Sequence, residues 1–409
     1  MNQPLRIDLR RGAGMWAAIP LVAAGCAIAL AHPRDWAGEW FGWAYYLRTV
    51  LLVLGPLVVA VAAWQGGRER RRGMVELLGT TSRPQLVRAL ASFASPAVWS
   101  SVGFALVAIA MGAVTASHAS YGHPPVLLAL SSLAAVTMFA ALGFVAGRLV
   151  PWRLTAPLGA VFTYVALGAA TYSNARASYL SPAVQVLPGP VPAWWWAPAT
   201  TAVFLAVAVA TLLLVGPRSR RLTPVAVLVA ALAAQPVAWT GFDAFGADPA
   251  AEKLVCAGQA PQVCLTQRHA SQLPQVTAAV HQVLAGLEVP GPLNETRAGG
   301  LASDPAGSLE GSYVAPDVRG RSDLPALRPM AASFAVGWRC GAVPTPADEQ
   351  LYIATYELSR WVLTRPAPPY DGVLSGRSPD EALALVKAVA APARRCDQDA
   401  VRALLAARP

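Results

Sequence analysis

Cysteine, histidine and lysine are the residues of this chain whose chemistry is most easily constrained by spacing. Four of the five cysteines, Cys256, Cys264, Cys340 and Cys396, lie beyond residue 241. An even set in one region suits disulfides in an oxidising compartment. The preferred pairing is Cys256 with Cys264 and Cys340 with Cys396, with three connectivities open. A structural zinc site is disfavoured, because the first two cysteines are separated by seven residues and not by the two to four of common zinc ligands. The histidines of the same region, His269 and His281, are twelve apart. Neither sits in H-E-x-x-H, and no G-x-S-x-G accompanies them; His269 reads as a surface or capping residue and His281 as part of a helix. The only lysines are Lys253, after Glu252, and Lys387, after Val386. Neither follows glycine, so the Gly-Lys step of a nucleotide-binding P-loop is absent. The cysteines therefore point to cross-linking, and no residue set points to catalysis.

What must position these residues is a very apolar chain. Of 409 residues, 55% are hydrophobic and only 13% charged, too apolar for an ordinary soluble domain. The formal charge of +10 does not imply nucleic acid. Residues 1 to 240 hold 17 Arg and Lys against 5 Asp and Glu, whereas 241 to 409 hold 15 against 17. The excess is thus confined to the hydrophobic part, without the basic, aromatic-bearing soluble face that nucleic acids require.

Apolar runs long enough for a hydrocarbon core of about 30 Å occur near 14–31, 44–64, 91–114, 125–147, 154–171, 198–215 and 223–241. The last is the weakest, because Gln235 and Pro236 interrupt it. With the N-terminus inside, fourteen arginines fall in cytoplasmic segments and three, Arg34, Arg48 and Arg176, outside, as the positive-inside rule demands. Trp36, Trp40, Trp43, Tyr45, Tyr46 and Trp194 to Trp196 gather at the expected outer interface. The first run ends in Ala29-Leu30-Ala31, an A-x-A pattern, but cleavage there would leave an odd set of spans and invert the arginine pattern. No span carries a charge near its middle, which disfavours an ion-driven transporter.

Between the second and third spans lies "RERRRGMVELLGTTSRPQLVRAL", residues 68–90. Gly73 and Gly79 bound a short amphipathic piece in which Met74, Leu77 and Leu78 can share a face. A loop that only obeyed the positive-inside rule would need the arginines but not a lone Glu among leucines. The stretch resembles the loop between spans two and three of permease subunits of type 2 ABC exporters, where an acidic residue, a Gly, Glu-Leu-Leu and a Ser-Arg recur. The resemblance implies that Glu69, Gly73, Glu76, Leu77, Leu78, Ser82 and Arg83 form a helix that docks into a cleft of a separate ATP-binding subunit. Met74 departs from the commoner Thr. The "CLTQRHASQLPQVTAAV" stretch further resembles actinobacterial permeases that have a C-terminal extension.

The expected architecture is an α-helical polytopic membrane protein followed by a small α+β extracytoplasmic domain. Residues 1–221 would form the permease core, with the coupling loop at 65–90; 222–241 would be a seventh span and 242–409 the outer domain. In that domain Val276, Val280, Val283, Leu284 and Leu287 have helical spacing, and Pro346 and Ser378 mark further helix starts. "MAASFAVGWRC" reads as a strand, and 289–328 as loop-rich. By resemblance the chain is a non-enzymatic subunit of an exporter in the bacterial plasma membrane, with its N-terminus cytoplasmic. Its partners would be a second permease copy or a related permease, the lipid membrane and a separate ATPase. That ATPase would bind the ATP and Mg; this chain would hold no cofactor and contact no nucleic acid. The competing reading is a membrane-anchored extracytoplasmic sensor or ligand-binding protein.

Overall fold

The computed structural model describes residues 13–74, 84–173, 175–184, 186, 189–287, 292–296, 308–336, 346–365 and 372–407. The chain forms two compact units. One comprises Met1–Trp36, Trp40–Ala116 and His123–Asp248; the other comprises Ala37–Glu39, Ser117–Gly122 and Pro249–Pro409.

The first unit is helical: α1 (Ala13–Ala31), α2 (Trp40–Gly66), α3 (Gln85–His118), α4 (Val126–Leu149), α5 (Thr155–Thr171), α6 (Trp196–Leu213) and α7 (Thr223–Thr240). Among the described residues, six helical stretches are long and apolar enough to cross a membrane, and α5 is a shorter apolar helix. Gln235 and Pro236 do not break α7. In lipid a helix satisfies its own backbone groups, which is why apolar runs of this length fold so. The chain is therefore polytopic and membrane-embedded. Arg48, expected in an outer segment, instead lies within α2 and is buried.

Helix α2 is central, packing on α4, α5 and α1; α4 continues to α6 and α6 to α7. The α2–α4 contact runs through glycines. An added Cβ at Gly66 would overlap the carbonyl oxygen of Phe144, one at Gly143 that of Val59, and one at Gly147 that of Ala63. Lipid offers no hydrophobic drive for helix association, so such small-residue seams supply van der Waals contact between backbones. The outward faces stay apolar: Leu158, Val161, Phe162 and Val165 of α5 are exposed. Between α5 and α6 the chain is irregular, with one 3-10 turn at Arg176–Leu180. A two-residue strand β1 (Val191–Pro192) then pairs antiparallel with β2 (Phe245–Gly246).

The second unit contains a four-stranded sheet in the order β3-β4-β5-β6. Strands β3 (Leu254–Ala257) and β4 (Val263–Thr266) are antiparallel, and the Cys256–Cys264 disulfide joins residues directly opposite in register. Strand β4 leads through α8 (Leu273–Leu284) to the parallel strand β5 (Leu293–Thr296), beside which runs β6 (Ser308–Glu310). The helices α9 (Leu324–Val336), α10 (Pro346–Thr364), α11 (Pro379–Arg394) and α12 (Gln398–Ala406) complete it. Val276, Val280, Val283, Leu284 and Leu287 all enter the core, together with Leu327, Leu358, Trp361 and Val386. Ser378 forms a capping box with Glu381 at the start of α11, fixing that end by mutual satisfaction of backbone donors. Cys396 is also disulfide-bonded; Cys340, expected as its partner, lies outside the described residues.

Two expectations are corrected here. Residues 330–336 are helical and not a strand, and the region expected to be loop-rich carries β5 and β6. Asp323 Oδ1 accepts from Ala326 N at 3.3 Å and Pro325 occupies the first turn, a helix start that outweighs the β-favouring Phe334 and Val336. Leu327, Ala331, Phe334 and Ala335 then fall on the buried face at helical spacing.

The glycine seam makes opposite predictions for two glycines of the same unit. Gly147→Val should destabilise the purified protein by about 3 kcal/mol through overpacking. Gly168→Ala, where an added Cβ meets nothing within 4 Å, should be neutral or stabilising by up to about 1 kcal/mol. Thermal unfolding in detergent checks both; equal effects would contradict the close α2–α4 contact.

Candidate functional site

Helix α2 ends at Gly66 and is followed by a single turn, Arg68–Arg71. Arg71 lies 4.5 Å over the Trp64 ring and donates to the Trp64 carbonyl, holding this turn against the helix end. Gly73, at φ +65°, turns the chain away in a conformation that favours glycine. Glu69 faces inward: Arg148 Nη1, in the last turn of α4, donates to its Oε2 at 2.9 Å, and Ser92 Oγ of α3 donates to its Oε1 at 3.3 Å. Both charged side chains are partly exposed, so the pair contributes no more than about 1 kcal/mol. Its role is geometric, since it fixes the root of the loop to α3 and α4 at once. Of the expected coupling residues, Glu69 and Gly73 are thus at this junction. Glu76, Leu77, Leu78, Ser82 and Arg83 lie outside the described residues.

A second polar cluster, within the sheet-bearing unit, was not foreseen. After β4, a 3-10 turn at Gln267–Gln272 presents Arg268 and His269. His269 Nδ1 meets Glu295 Oε1 of β5 at 2.7 Å; Thr266 gives Glu295 Oε2 a backbone and a hydroxyl hydrogen bond, at 2.8 and 2.9 Å. Arg268 reaches Glu39 at 3.5 Å and Glu252 at 3.7 Å. Residues 37–39 and 117–122 are held by the same turn: Ser120 Oγ donates to the Arg268 carbonyl at 3.0 Å and accepts from Ser271 N at 2.9 Å. Ser271 Oγ donates to the His118 carbonyl at 3.0 Å.

Burial pushes the Glu39 carboxyl above its ordinary value, although Arg268 and His269 pull it down. Burial also opposes charge on His269, but the charge and hydrogen bond of Glu295, with help from Glu39, raise its pKa overall. For Glu295 burial acts upward and is outweighed by His269 and by the Thr266 hydrogen bonds, so its pKa falls. The balance favours the charged form of the imidazole beside the Glu295 carboxylate.

An imidazole oriented by a carboxylate is half of a nucleophile-activating array. Among the described residues, however, no hydroxyl or thiol hydrogen-bonds the His269 ring, and no group of three or more His, Cys, Asp or Glu could hold a metal ion. The cluster acts as an ionic clamp that draws three distant stretches of sequence together. Positions 39, 268 and 295 share no spacing that a linear reading could detect. His269, expected as a surface or capping residue, is instead largely enclosed and paired with Glu295.

No protein-family model, curated protein or solved structure matches the chain.

The clamp makes stability depend on pH. The raised His269 pKa contributes stability that is full below the imidazole's unfolded value and is lost as pH rises through the folded one. The depressed Glu295 pKa contributes stability present above the carboxylate's unfolded value and lost as pH falls through the folded one. Hydrogen exchange of β4 and β5 in the full-length protein should therefore be slowest between about pH 4.5 and 6.5, after correction for intrinsic rates. His269→Gln should abolish the alkaline loss of protection and cost about 1–3 kcal/mol at pH 6 by leaving Glu295 poorly paired. A flat profile for the unsubstituted chain would exclude the clamp.

Proposed function

We propose that this chain is the membrane-spanning subunit of a bacterial ABC exporter, paired with a second permease and driven by a separate ATP-binding subunit. The observation that carries the reading is the tie between Glu69, Arg148 and Ser92. It roots the loop resembling a coupling helix in α2, α3 and α4 together. A push delivered to the loop by a partner reaches three helices and not one, which is what conversion of nucleotide-driven motion into a change of access requires.

The helix boundaries support the proposed orientation. Segments 37–39 and 117–122 link α1 to α2 and α3 to α4, and they belong to the same unit as 249–409. A chain crossing a membrane alternates faces, so an even number of crossings separates residue 122 from residue 249. Helices α4, α5, α6 and α7 make four only if the 17-residue α5 also crosses, giving seven in all. Arg68, Arg70, Arg71, Arg72, Arg148, Arg153, Arg218, Arg220 and Arg221 then fall on the opposite face, the cytoplasmic one by the positive-inside rule. The cysteine-bearing unit is extracytoplasmic on this reading, in keeping with its Cys256–Cys264 disulfide.

Two measurements test this. A membrane-impermeant thiol reagent, applied to chains whose native cysteines are replaced, should modify a cysteine introduced at Ser312 and spare one at Ser82; labelling of both or neither contradicts the topology. Affinity purification from native membranes should recover an ATP-hydrolysing subunit. Replacing Leu77 and Leu78 with Ser removes two docking side chains, each worth about 1.5–3 kcal/mol, and should reduce recovery at least tenfold. Glu69→Gln should leave docking near normal but lower the stimulated ATP hydrolysis. Recovery that is unchanged in the double-Ser form would remove the coupling assignment.

A further inference from the structure

Arg48 is the charge least expected where it stands. It sits eight residues into α2 and is 1% exposed. Its guanidinium lies 4.5 Å from the centre of the Trp196 ring and 6.0 Å from that of Phe204. One nitrogen, Nη2, donates to the Ser181 carbonyl at 3.0 Å. Nε and Nη1 are buried and have no hydrogen-bond partner among the described residues. The same holds for the indole N–H of Trp196, a side chain with no exposed surface.

All three unsatisfied groups are donors, and one belongs to a side chain that stays charged at any physiological pH. Stacking on aromatic faces offsets part of the cost of burying a cation, but it neutralises no charge and satisfies no N–H. Acidic residues are few in this unit, namely Asp8, Asp35, Glu69, Glu76, Asp243 and Asp248, and no carboxylate hydrogen-bonds Arg48 among the described residues. A water molecule would accept from the donors yet leave the charge uncompensated in a low-dielectric interior. An oxyanion does both.

The backbone around Arg48 is built in the same sense. Helix α6 begins at Trp196 without a side-chain cap; Trp196 N and Ala199 N donate to the Ala193 and Trp195 carbonyls and Pro198 has no N–H, so this end contributes the positive end of its dipole to the field of the guanidinium. The irregular segment before it is packed inside the unit: Ser178, Ser181, Ala183 and Val184 are buried, Tyr45 donates to the Pro190 carbonyl at 2.6 Å, and Thr171 donates to that of Ala183 at 3.2 Å. Non-helical backbone at membrane depth is tolerated where it is enclosed by protein or lines a site.

We propose that Arg48 and the Trp196 indole N–H, at the positive end of α6, bind an oxyanion of the phosphate type, carried either by a lipid headgroup or by a free solute. The assignment is independent of the exporter reading, since it needs only the charge, the three donors and their burial.

The test uses the full-length protein, delipidated in a neutral detergent. At constant ionic strength, inorganic phosphate should raise its unfolding temperature saturably. Arg48→Met should abolish that response. Trp196→Phe retains the ring over the guanidinium but lacks the N–H, so half-saturation should require about 3- to 10-fold more phosphate. Native mass spectrometry separates the two sources: a phospholipid retained by the unsubstituted protein, displaced by phosphate and lost in Arg48→Met, identifies a headgroup, whereas saturable phosphate binding without retained lipid identifies a free solute. An unsubstituted chain with neither a phosphate response nor a retained phospholipid overturns the proposal. So does a folded Arg48→Met form that responds like the unsubstituted chain. Should Arg48→Met fail to fold, unchanged half-saturation in Trp196→Phe overturns it.

Discussion

The contact on which the membrane-embedded unit depends is the approach of α2 to α4 along Gly66, Gly143 and Gly147. Each of these glycines faces the backbone carbonyl of the other helix closely enough to exclude a Cβ. In water such a contact would be one among many, because burying apolar side chains drives association whatever the detail. In lipid the side chains are as well solvated outside the bundle as within it, and close backbone contact carries more of the burden. Two helices joined in this way give α5, α1 and α6 fixed surfaces to pack on. Side chains such as Leu47, Leu51, Leu54, Ala140 and Phe144 are then fully buried without having to drive the assembly themselves.

Charge follows the same constraint. In the first unit it is spent sparingly, at the ends of helices or in one enclosed position: Glu69 with Arg148 beyond the α2 terminus, and Arg48 beneath the Trp196 ring. In the second unit it is clustered: Arg268 lies within ion-pair distance of Glu39 and Glu252, and His269 of Glu295. The contrast is physical. A sheet-and-helix unit with its own apolar core can support a buried ionic group at its edge, because partners come from several strands and loops. A bundle whose residues are nearly all apolar has few partners to offer. The clamp also lets residues 37–39 and 117–122 belong to a unit formed mainly by sequence more than a hundred residues away.

How much of this was legible in the sequence varied with the range of the interaction. Helices α1 to α7 coincide with the apolar runs to within a few residues at most ends, because length and hydropathy alone specify a helix in lipid. The helix start at Ser378 and the buried stripe of α8 were equally plain, being set by residues three or four apart. The helix at 324–336 was missed because Phe334 and Val336 favour strands in isolation, while Asp323 and Pro325, which start it, precede the stretch that was read. The ionic clamp and the Arg48–Trp196 stacking were beyond reach, since both join residues more than a hundred positions apart. Arg48 looked like an outer-interface cation because it stands close to the outer end of the apolar run at 44–64, whereas the helix begins at Trp40 and places it eight residues inside.

Helix α2 brings these features into one mechanical frame. Arg48 lies near one end of it and Glu69 just past the other, separated by roughly 30 Å at helical rise. Pro56 stands between them and removes the N–H that would otherwise bond to the Leu52 carbonyl, which makes this the point of least bending resistance. The residue before it, Gly55, faces the Phe139 ring of α4 so closely that an added Cβ would sit 2.8 Å from Cε2. The weak point in the hydrogen-bond ladder is thus covered by close packing. A bend of α2 toward α4 there would press on Phe139 of α4, the helix whose last turn carries Arg148, the partner of Glu69. Close packing along Gly55, Gly66, Gly143 and Gly147 thus couples α2 to α4 on both sides of the proline.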